Sequence, residues 1–272
     1  MISLNPQGIA TVALMLALYW RAVTVLRARG YRVPRSQQAL FYSGAFLVAL
    51  ALLGPPDALS DDLLSAHMGQ HLLLADIAAP LLLAGVRSPV LQFLLPRPIL
   101  VPLARTPWLR RTFRVLRKPL VALPLWVLSL YFWHFGFAFE GALRDSWVHA
   151  LQHESFFLTS LLVWWAIVEP KRGRIGGELW KAGHLIGMRV AGMFLGMAFI
   201  LMRVQAYPWY GDRAHAHGLG VLTDQQIGGG LMFLVDMLVM FFGLGFFFWR
   251  AAADSDRAEK QQGELAAGGV AR

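Results

Sequence analysis

The sequence predicts an all-α, polytopic integral membrane protein: a seven-transmembrane-helix bundle with its N-terminus outside and its C-terminus in the cytoplasm. Three observations lead to this fold class. Apolar residues make up 57% of the 272 residues and charged residues only 15%, whereas a soluble domain carries about 25% charged residues. The apolar residues form long blocks, which suit membrane helices of roughly 20 residues each. Basic and non-basic connections alternate between these blocks.

In chain order, the predicted spans cover residues 8–27, 37–54, 66–86, 119–139, 147–168, 183–203 and 226–249. A transmembrane β-barrel would instead show alternating stretches of about 10 residues, which the sequence lacks. We expect one transmembrane domain over residues 1–252 and no cleavable signal peptide, because the first span lacks a basic segment before it. Residues 253–272, rich in Gly, Ala, Glu and Gln, predict a disordered cytoplasmic tail.

The distribution of basic residues gives the orientation, since they concentrate in cytoplasmic connections. The first, third and fifth connections and the tail are basic; the fifth, for example, holds Lys171, Arg172, Arg174 and Lys181. The second connection has three aspartates and no basic residue, and the fourth and sixth have one arginine each. In the long third connection, 87–118, apolar residues among arginines predict a short helix on the inner leaflet.

The composition excludes several kinds of function. The chain has no cysteine, which rules out disulfides, zinc–thiolate sites and iron–sulfur clusters. The net charge of +9 is explained by basic cytoplasmic connections near anionic lipid, so we expect membrane lipids and no nucleic acid as partners. No nucleophile, paired catalytic carboxylates or phosphate-binding loop is apparent, so an enzyme is not predicted. Gly228–Gly230 is expected to allow close helix packing.

Seven of the eight histidines fall at the predicted outer end of the bundle. The third and fifth spans each begin with two histidines four residues apart, which share one helix face. Neutral imidazole is the commonest protein ligand of transition metals. We therefore predict a metal site on three helices, formed by His67, His71, His134, His149 and His153.

Copper, bound transiently, is a candidate cofactor, since thioethers select Cu(I) and methionines lie near the outer halves of the spans: Met68, Met193, Met197, Met202 and Met232. Methionines in spans usually serve packing alone, and His215 and His217 fit a solvated loop. Asp76 and Asp236 lie inside spans, where a carboxylate needs a partner; an ion pair with Arg189 or Arg203 is expected.

The motif His67-Met68-Gly69-Gln70-His71, followed by Ala78-Ala79-Pro80, resembles the third-span signature of the CtaG-type assembly factors of caa-type cytochrome c oxidases. The likeness covers about residues 35–250 and continues through Trp133-His134, His149, His153, Trp164-Trp165, Tyr207, Asp224-Gln225-Gln226, Gly229 and Met232. It departs after His134, where the family often has proline and this chain has Phe135-Gly136.

The resemblance implies a multi-pass protein of the bacterial cytoplasmic (inner) membrane that helps to build the haem–copper oxidase and to load its copper. Its partner would be a cytochrome c oxidase subunit or a copper chaperone. Three alternatives stay open from the residues alone. They are a membrane b-type cytochrome with bis-histidine haem ligation, a histidine-rich di-metal membrane hydroxylase, and a scaffold whose histidines bind nothing.

Overall fold

The computed structural model describes residues 5–169 and 177–270, and these residues form helices without any strand, as the all-α prediction requires. The α-helices are α1 Pro6–Ala28, α2 Arg35–Leu53, α3 Pro55–Leu59, α4 Leu64–Leu72, α5 Ala79–Gly85, α6 Val90–Phe93, α7 Arg97–Arg105, α8 Pro107–Leu116, α9 Pro119–His134, α10 Gly136–Arg144, α11 Ser146–Val168, α12 Glu178–Leu201 and α13 Val221–Val270. A π-helical segment, Leu73–Ala78, joins α4 to α5. Two 3-10 turns, Pro208–Tyr210 and Ala214–His217, lie between α12 and α13.

Five helical segments are long and apolar enough to cross a membrane: Pro6–Ala28, Arg35–Leu59, Leu64–Gly85, Glu178–Leu201 and Val221–Arg257. α8 and α9 pass the same test together, bent by 76°, which makes up to six. The chain is therefore a multi-pass membrane protein, while the seven-span count and the orientation remain predictions. α9 alone has only 16 residues. α11 has 23, but the histidines and other polar residues in its first half lower its hydropathy.

Part of the basic fifth connection, with Lys171, Arg172 and Arg174, lies outside the described residues, whereas Lys181 is in the first turn of α12. The third connection contains α8, which is the short helix predicted there.

The segment that leads from α4 into α5 is widened by one residue because Pro80 has no N–H to donate and its ring would clash in a regular turn. The N–H of Ala79 bonds to the carbonyl of Leu74, five residues back. This leaves the Ala75 carbonyl without a helical partner, and the indole N–H of Trp164 donates to it at 3.1 Å. Trp164 is thus a buried link between the third and fifth predicted spans.

Two expectations about helix ends are wrong. The predicted span 119–139 ends at His134, because Phe135 is extended (φ −67°, ψ 138°) and α10 begins at Gly136. The predicted disordered tail from residue 253 is helical as far as Val270, and residues 271–272 lie outside the described part. The tail is rich in strong helix formers such as Ala, Glu and Gln, and a helix already begun upstream extends without a new nucleus.

α12 and α13 pack against each other so closely that only glycine fits at their crossing. A Cβ on Gly196 would lie 2.8 Å from the carbonyl oxygen of Gly229, and a Cβ on Gly229 would lie 2.7 Å from that of Gly196. The expected role of the glycine run at the start of α13 is therefore confirmed at Gly229. This contact sets the position of α13 next to the histidine-bearing helices.

Candidate functional site

Four of the five predicted ligands bring their imidazole rings together at one end of the bundle. The ring of His67 stacks on that of His71 with centroids 4.6 Å apart, and on that of His149 at 5.3 Å. The His153 ring lies 5.0 Å from His71 and 4.3 Å from His149. These four side chains, two from α4 and two from α11, form what we call the histidine cluster, and the end of the bundle that holds them is the histidine end.

The fifth predicted ligand, His134 at the end of α9, is separated from the histidine cluster by two phenylalanines. Its ring centroid lies 6.0 Å from Phe156, which contacts His71 at 4.7 Å. It also lies 6.1 Å from Phe139, which contacts His67 at 4.8 Å. His134 and His71 nevertheless line the same cavity, which has a volume of about 30 Å³. His134 is therefore next to the cluster rather than inside it.

The hydrogen bonds of Tyr210 determine which nitrogen of His67 carries the proton. The Tyr210 hydroxyl donates to the carbonyl oxygen of Ser60 at 2.9 Å, and a hydroxyl has only one proton to donate. Nδ1 of His67 lies 3.3 Å from the same hydroxyl oxygen, so Nδ1–H must be the donor of that bond. Nε2 of His67 is then the unprotonated nitrogen, whose lone pair is available to a metal ion.

A hydrogen bond also determines which ring nitrogen of His134 is protonated. Its Nδ1 lies 2.7 Å from the carbonyl oxygen of Leu130, one turn earlier in α9. A carbonyl oxygen only accepts, so Nδ1 carries the proton and Nε2 has the free lone pair. The hydroxyl of Tyr207 donates to the His134 carbonyl at 2.8 Å, which closes the end of α9 where the chain turns away from helix.

All five predicted ligands have a buried Nε2 atom without a hydrogen-bond partner among the described residues: His67, His71, His134, His149 and His153. Nδ1 of His71 and both amide atoms of Gln152 are also unpaired within that part of the chain. A buried polar atom left unpaired costs about 1–3 kcal/mol, and most such atoms in folded proteins find a partner. The chemistry of this donor set suits an ion that accepts nitrogen lone pairs.

The imidazoles do not converge on one point in this conformation. Over residues 5–169 and 177–270, no group of three or more His, Asp or Glu side chains is placed to hold a metal ion. The rings of His67 and His71 are stacked, with an angle of 13° between their planes, so their nitrogens do not point to a common centre. Binding of one ion by three of these rings therefore requires side-chain rotation.

Asp224, in the first turn of α13, fixes the start of α4. Its carboxylate accepts the backbone N–H of Leu64 at 2.7 Å and that of Ser65 at 3.2 Å, and the Ser65 hydroxyl donates to it as well. This is the capping interaction that the free N–H groups of a helix start require, provided here from 160 residues away. Sequence reasoning noted Asp224 only through the family resemblance, because a cap between distant segments leaves no local spacing signal.

The connection 202–220 covers the histidine end. Gln225 holds its first part: the side-chain oxygen accepts the N–H of Ala206 at 2.8 Å, and the side-chain nitrogen donates to the Val204 carbonyl at 3.2 Å. Tyr207 and Tyr210 point inward and are buried. Burial raises the pKa of both hydroxyls, so both stay protonated at neutral pH and act as the hydrogen-bond donors of the His134 and Ser60 carbonyls.

A charged triad lies beside the same cavity. Nη1 of Arg189 is 2.6 Å from a carboxylate oxygen of Asp76 and 2.6 Å from one of Asp236. The guanidinium lies 5.6 Å from the ring centroid of Trp126 and 5.4 Å from that of Trp164. The expected ion pairing of both aspartates is confirmed, and Arg189 is the partner of each.

The remaining histidines lie outside the site. Nε2 of His184 is 3.1 Å from the carbonyl oxygen of Val163. His215 and His217 are exposed, and His217 lies 3.0 Å from a carboxylate oxygen of Asp62. These contacts agree with the solvated-loop interpretation of His215 and His217.

The comparison with known families is decisive. The profile of the cytochrome c oxidase caa3 assembly factor family matches residues 17–254, which include all five predicted ligands, the triad and Asp224. The chain belongs to this family. Membership in the caa3 assembly factor family confirms the resemblance seen in the third-span motif.

Two curated relatives, an uncharacterised protein of Mycobacterium bovis and one of Mycobacterium tuberculosis, are each 25% identical over 247 residues. The match covers 82% of this chain, and the chain spans about a third of the length of these relatives (35%). No solved structure matches the chain. Since both relatives are uncharacterised, the function of this chain is inferred from the caa3 assembly factor family and from the geometry of the site.

Proposed function

We propose that this protein assists the assembly of a caa3-type cytochrome c oxidase by holding Cu(I) transiently at the histidine end and passing it on to the oxidase or a copper chaperone. Family membership supports the assembly role. The observation that carries the copper role is the set of five buried Nε2 atoms without a partner in the described residues. No catalytic step is assigned, since the task is binding and release.

The ligand types favour Cu(I). Neutral imidazole suits copper, and thioethers select its reduced form. Met68 and Met232 line the cavity shared by His71 and His134. Nitrogen–metal bonds of about 2 Å allow two imidazoles on one ion to have centroids up to about 6 Å apart, and neighbouring rings in the cluster lie 4.3–5.3 Å apart. Stacked rings that must rotate to bind also suit a carrier, because incomplete coordination lets the ion leave.

The proposed topology places the histidine end outside. In this arrangement α9 and α11 are the fourth and fifth of seven spans in the bacterial inner membrane, and the basic connections face the cytoplasm. Copper would then reach the pocket from the outer side. Cysteine-accessibility labelling tests this directly: a cysteine at Asp62 should react with an impermeant thiol reagent in intact cells, and one at Arg110 should not.

The main test measures silver, a stable analogue of Cu(I), and copper bound by the purified full chain in detergent. Wild type should bind Ag(I), and the double variant His71→Ala, His153→Ala should lose it. The double variant His215→Ala, His217→Ala is the matched control, because it removes two exposed histidines at the same end. Equal, negligible metal in wild type and the cluster variant would refute the copper role.

The haem alternative is tested by a reduced-minus-oxidised visible spectrum of the same preparation. The cavity between His71 and His134, about 30 Å³, has space for about one water molecule, far less than a porphyrin needs. We expect neither a Soret band nor an α band. Their appearance in stoichiometric amount would replace copper by haem in this proposal.

The assembly role is tested in a host with its own caa3-type oxidase. Deletion of the chain should lower the copper content and activity of that oxidase, and wild type should restore both. The histidine-cluster variant should restore neither, although it is present in the membrane at the wild-type level. Full restoration by this variant would separate assembly from metal binding.

A further inference from the structure

We propose that the triad Asp76–Arg189–Asp236 is the counter-charge of the metal pocket: it supplies the single negative charge that a buried monovalent cation requires. This inference rests on the proposed function, because it names the second half of the same site. The histidines provide lone pairs but no negative charge, whereas the triad provides charge next to them.

The two groups share one cavity. Its lining includes His71, His134, Asp76 and Asp236, together with Met68, Trp126 and Met232. Asp76 is five residues after His71, in the widened π-helical segment. Asp236 comes from α13, the helix whose first turn caps α4 through Asp224. His71 and Asp76 thus lie on one continuous helical segment, and α13, which carries Asp236, is tied to the start of that segment.

The triad contains more acid than its arginine needs. With both carboxyl groups ionised, the two carboxylates and one guanidinium sum to a net charge of −1, and a structural ion pair would require only one of the two acids. A net charge in a low-dielectric interior is unfavourable. A monovalent cation on neutral imidazoles cancels it, whereas a divalent cation leaves one positive charge uncompensated.

The packing holds both carboxyl groups of the triad in place. Both carboxylates bind the same nitrogen, Nη1 of Arg189, and the guanidinium is fully buried between Trp126 and Trp164. A Cβ on residue 192 would lie 2.0 Å from Oδ2 of Asp236, so Gly192 makes the room that the second carboxylate occupies. Gly192 therefore leaves room for a second acid, although one acid would be enough to pair with Arg189.

The test compares Ag(I) and Zn(II) affinities of the full-length wild type and Asp236→Asn, titrated in detergent. For a unit charge within roughly 10 Å at an effective dielectric near 20, Ag(I) binding should weaken about 10- to 30-fold. Coulomb energy scales with ion charge, so Zn(II) binding should weaken by about the square of that factor. Asp212→Asn, the same change at an exposed site, should leave both affinities unchanged.

Asp76→Glu keeps the charge and should retain Ag(I) binding, whereas Asp76→Asn should lose it as Asp236→Asn does. If size-exclusion chromatography shows that Asp236→Asn does not fold, these two variants of Asp76 provide the test. Wild type that binds no Ag(I) would refute the proposed function itself. Wild type that binds Ag(I) as tightly as a folded Asp236→Asn or Asp76→Asn variant would refute only the counter-charge. Equal fold-losses for Ag(I) and Zn(II) would also overturn it, because a change of shape rather than charge has that effect.

Discussion

The cap that Asp224 places on α4 gives the sharpest prediction about how the site is held. Replacing Asp224 with alanine removes the acceptor of two backbone N–H groups, those of Leu64 and Ser65. The Leu64 donor is then buried and the Ser65 donor half-buried without this acceptor, at the start of the helix that carries His67 and His71. The expected result is a large loss of stability together with a loosened histidine cluster.

The magnitude follows from the bonds lost. A hydrogen bond to a charged acceptor contributes about 1.5–3 kcal/mol, so two such bonds at the lower value give about 3 kcal/mol for Asp224→Ala. Asp224→Asn keeps one side-chain oxygen and should cost about half as much. In proteins of about this size, 1 kcal/mol corresponds to roughly 2–4 °C in Tm, so the alanine variant should melt about 6–12 °C lower.

Thermal unfolding of the purified protein in detergent, followed by circular dichroism, measures this shift. Asp212→Asn is the control, since Asp212 is an exposed acid in the connection between α12 and α13, and its Tm should stay close to wild type. A Tm of Asp224→Ala within about 2 °C of wild type would show that this cap does not stabilise the protein. The helix start would then have satisfied its N–H groups in another way.

Three further predictions concern the elements that support the site. Trp164→Phe leaves the buried Ala75 carbonyl without its donor and should lower the unfolding free energy by about 1–3 kcal/mol, read from the same melts. Gly229→Ala should prevent the close crossing of α12 and α13 and reduce folded yield in size-exclusion chromatography, whereas Gly230→Ala has open space and should not. Because burial raises the pKa of Tyr210, its stabilising contribution is complete below about pH 10 and should fall as the pH rises further, as alkaline unfolding curves will show.

Each of these has a result that contradicts it. Equal melting of Trp164→Phe and its neighbour variant Trp165→Phe would show that the indole hydrogen bond is unimportant. Equal folded yields for the two glycine variants would mean that the helix crossing can adjust. Tyr210→Phe should flatten the alkaline part of the stability curve relative to wild type, and an unchanged slope would assign the effect to other groups.

Much of the architecture could be predicted from local patterns. Long apolar blocks predict helices because only a helix satisfies its own backbone inside a membrane. The i, i+4 spacing put His67 with His71, and His149 with His153, on single helix faces. Two intramembrane aspartates required a cation, and Arg189 was one of the two arginines expected. The family resemblance came from ordered motifs in the same way.

Other features depended on contacts between distant segments. At the break after His134, the His134 carbonyl is paired by the hydroxyl of Tyr207, and the carbonyl that the wide turn before Pro80 leaves free is paired by Trp164 from another helix. Local apolar patterning carries neither signal. The helical tail also differed from expectation, because composition rich in Ala, Glu and Gln is shared by disordered chains and by helices that continue an existing one.

Local sequence patterns predict a helical membrane protein with its histidines at one end. They can do so because helix formation and bilayer insertion depend on residues that are close in the chain. Three features of the site depend on contacts between helices: the protonated nitrogen of His67, the position of His134 behind two phenylalanines, and the pairing of one arginine with two aspartates. Those outcomes depend on which donor meets which acceptor across helices. Packing in three dimensions sets that pairing, and the spacing of residues along the chain does not predict it.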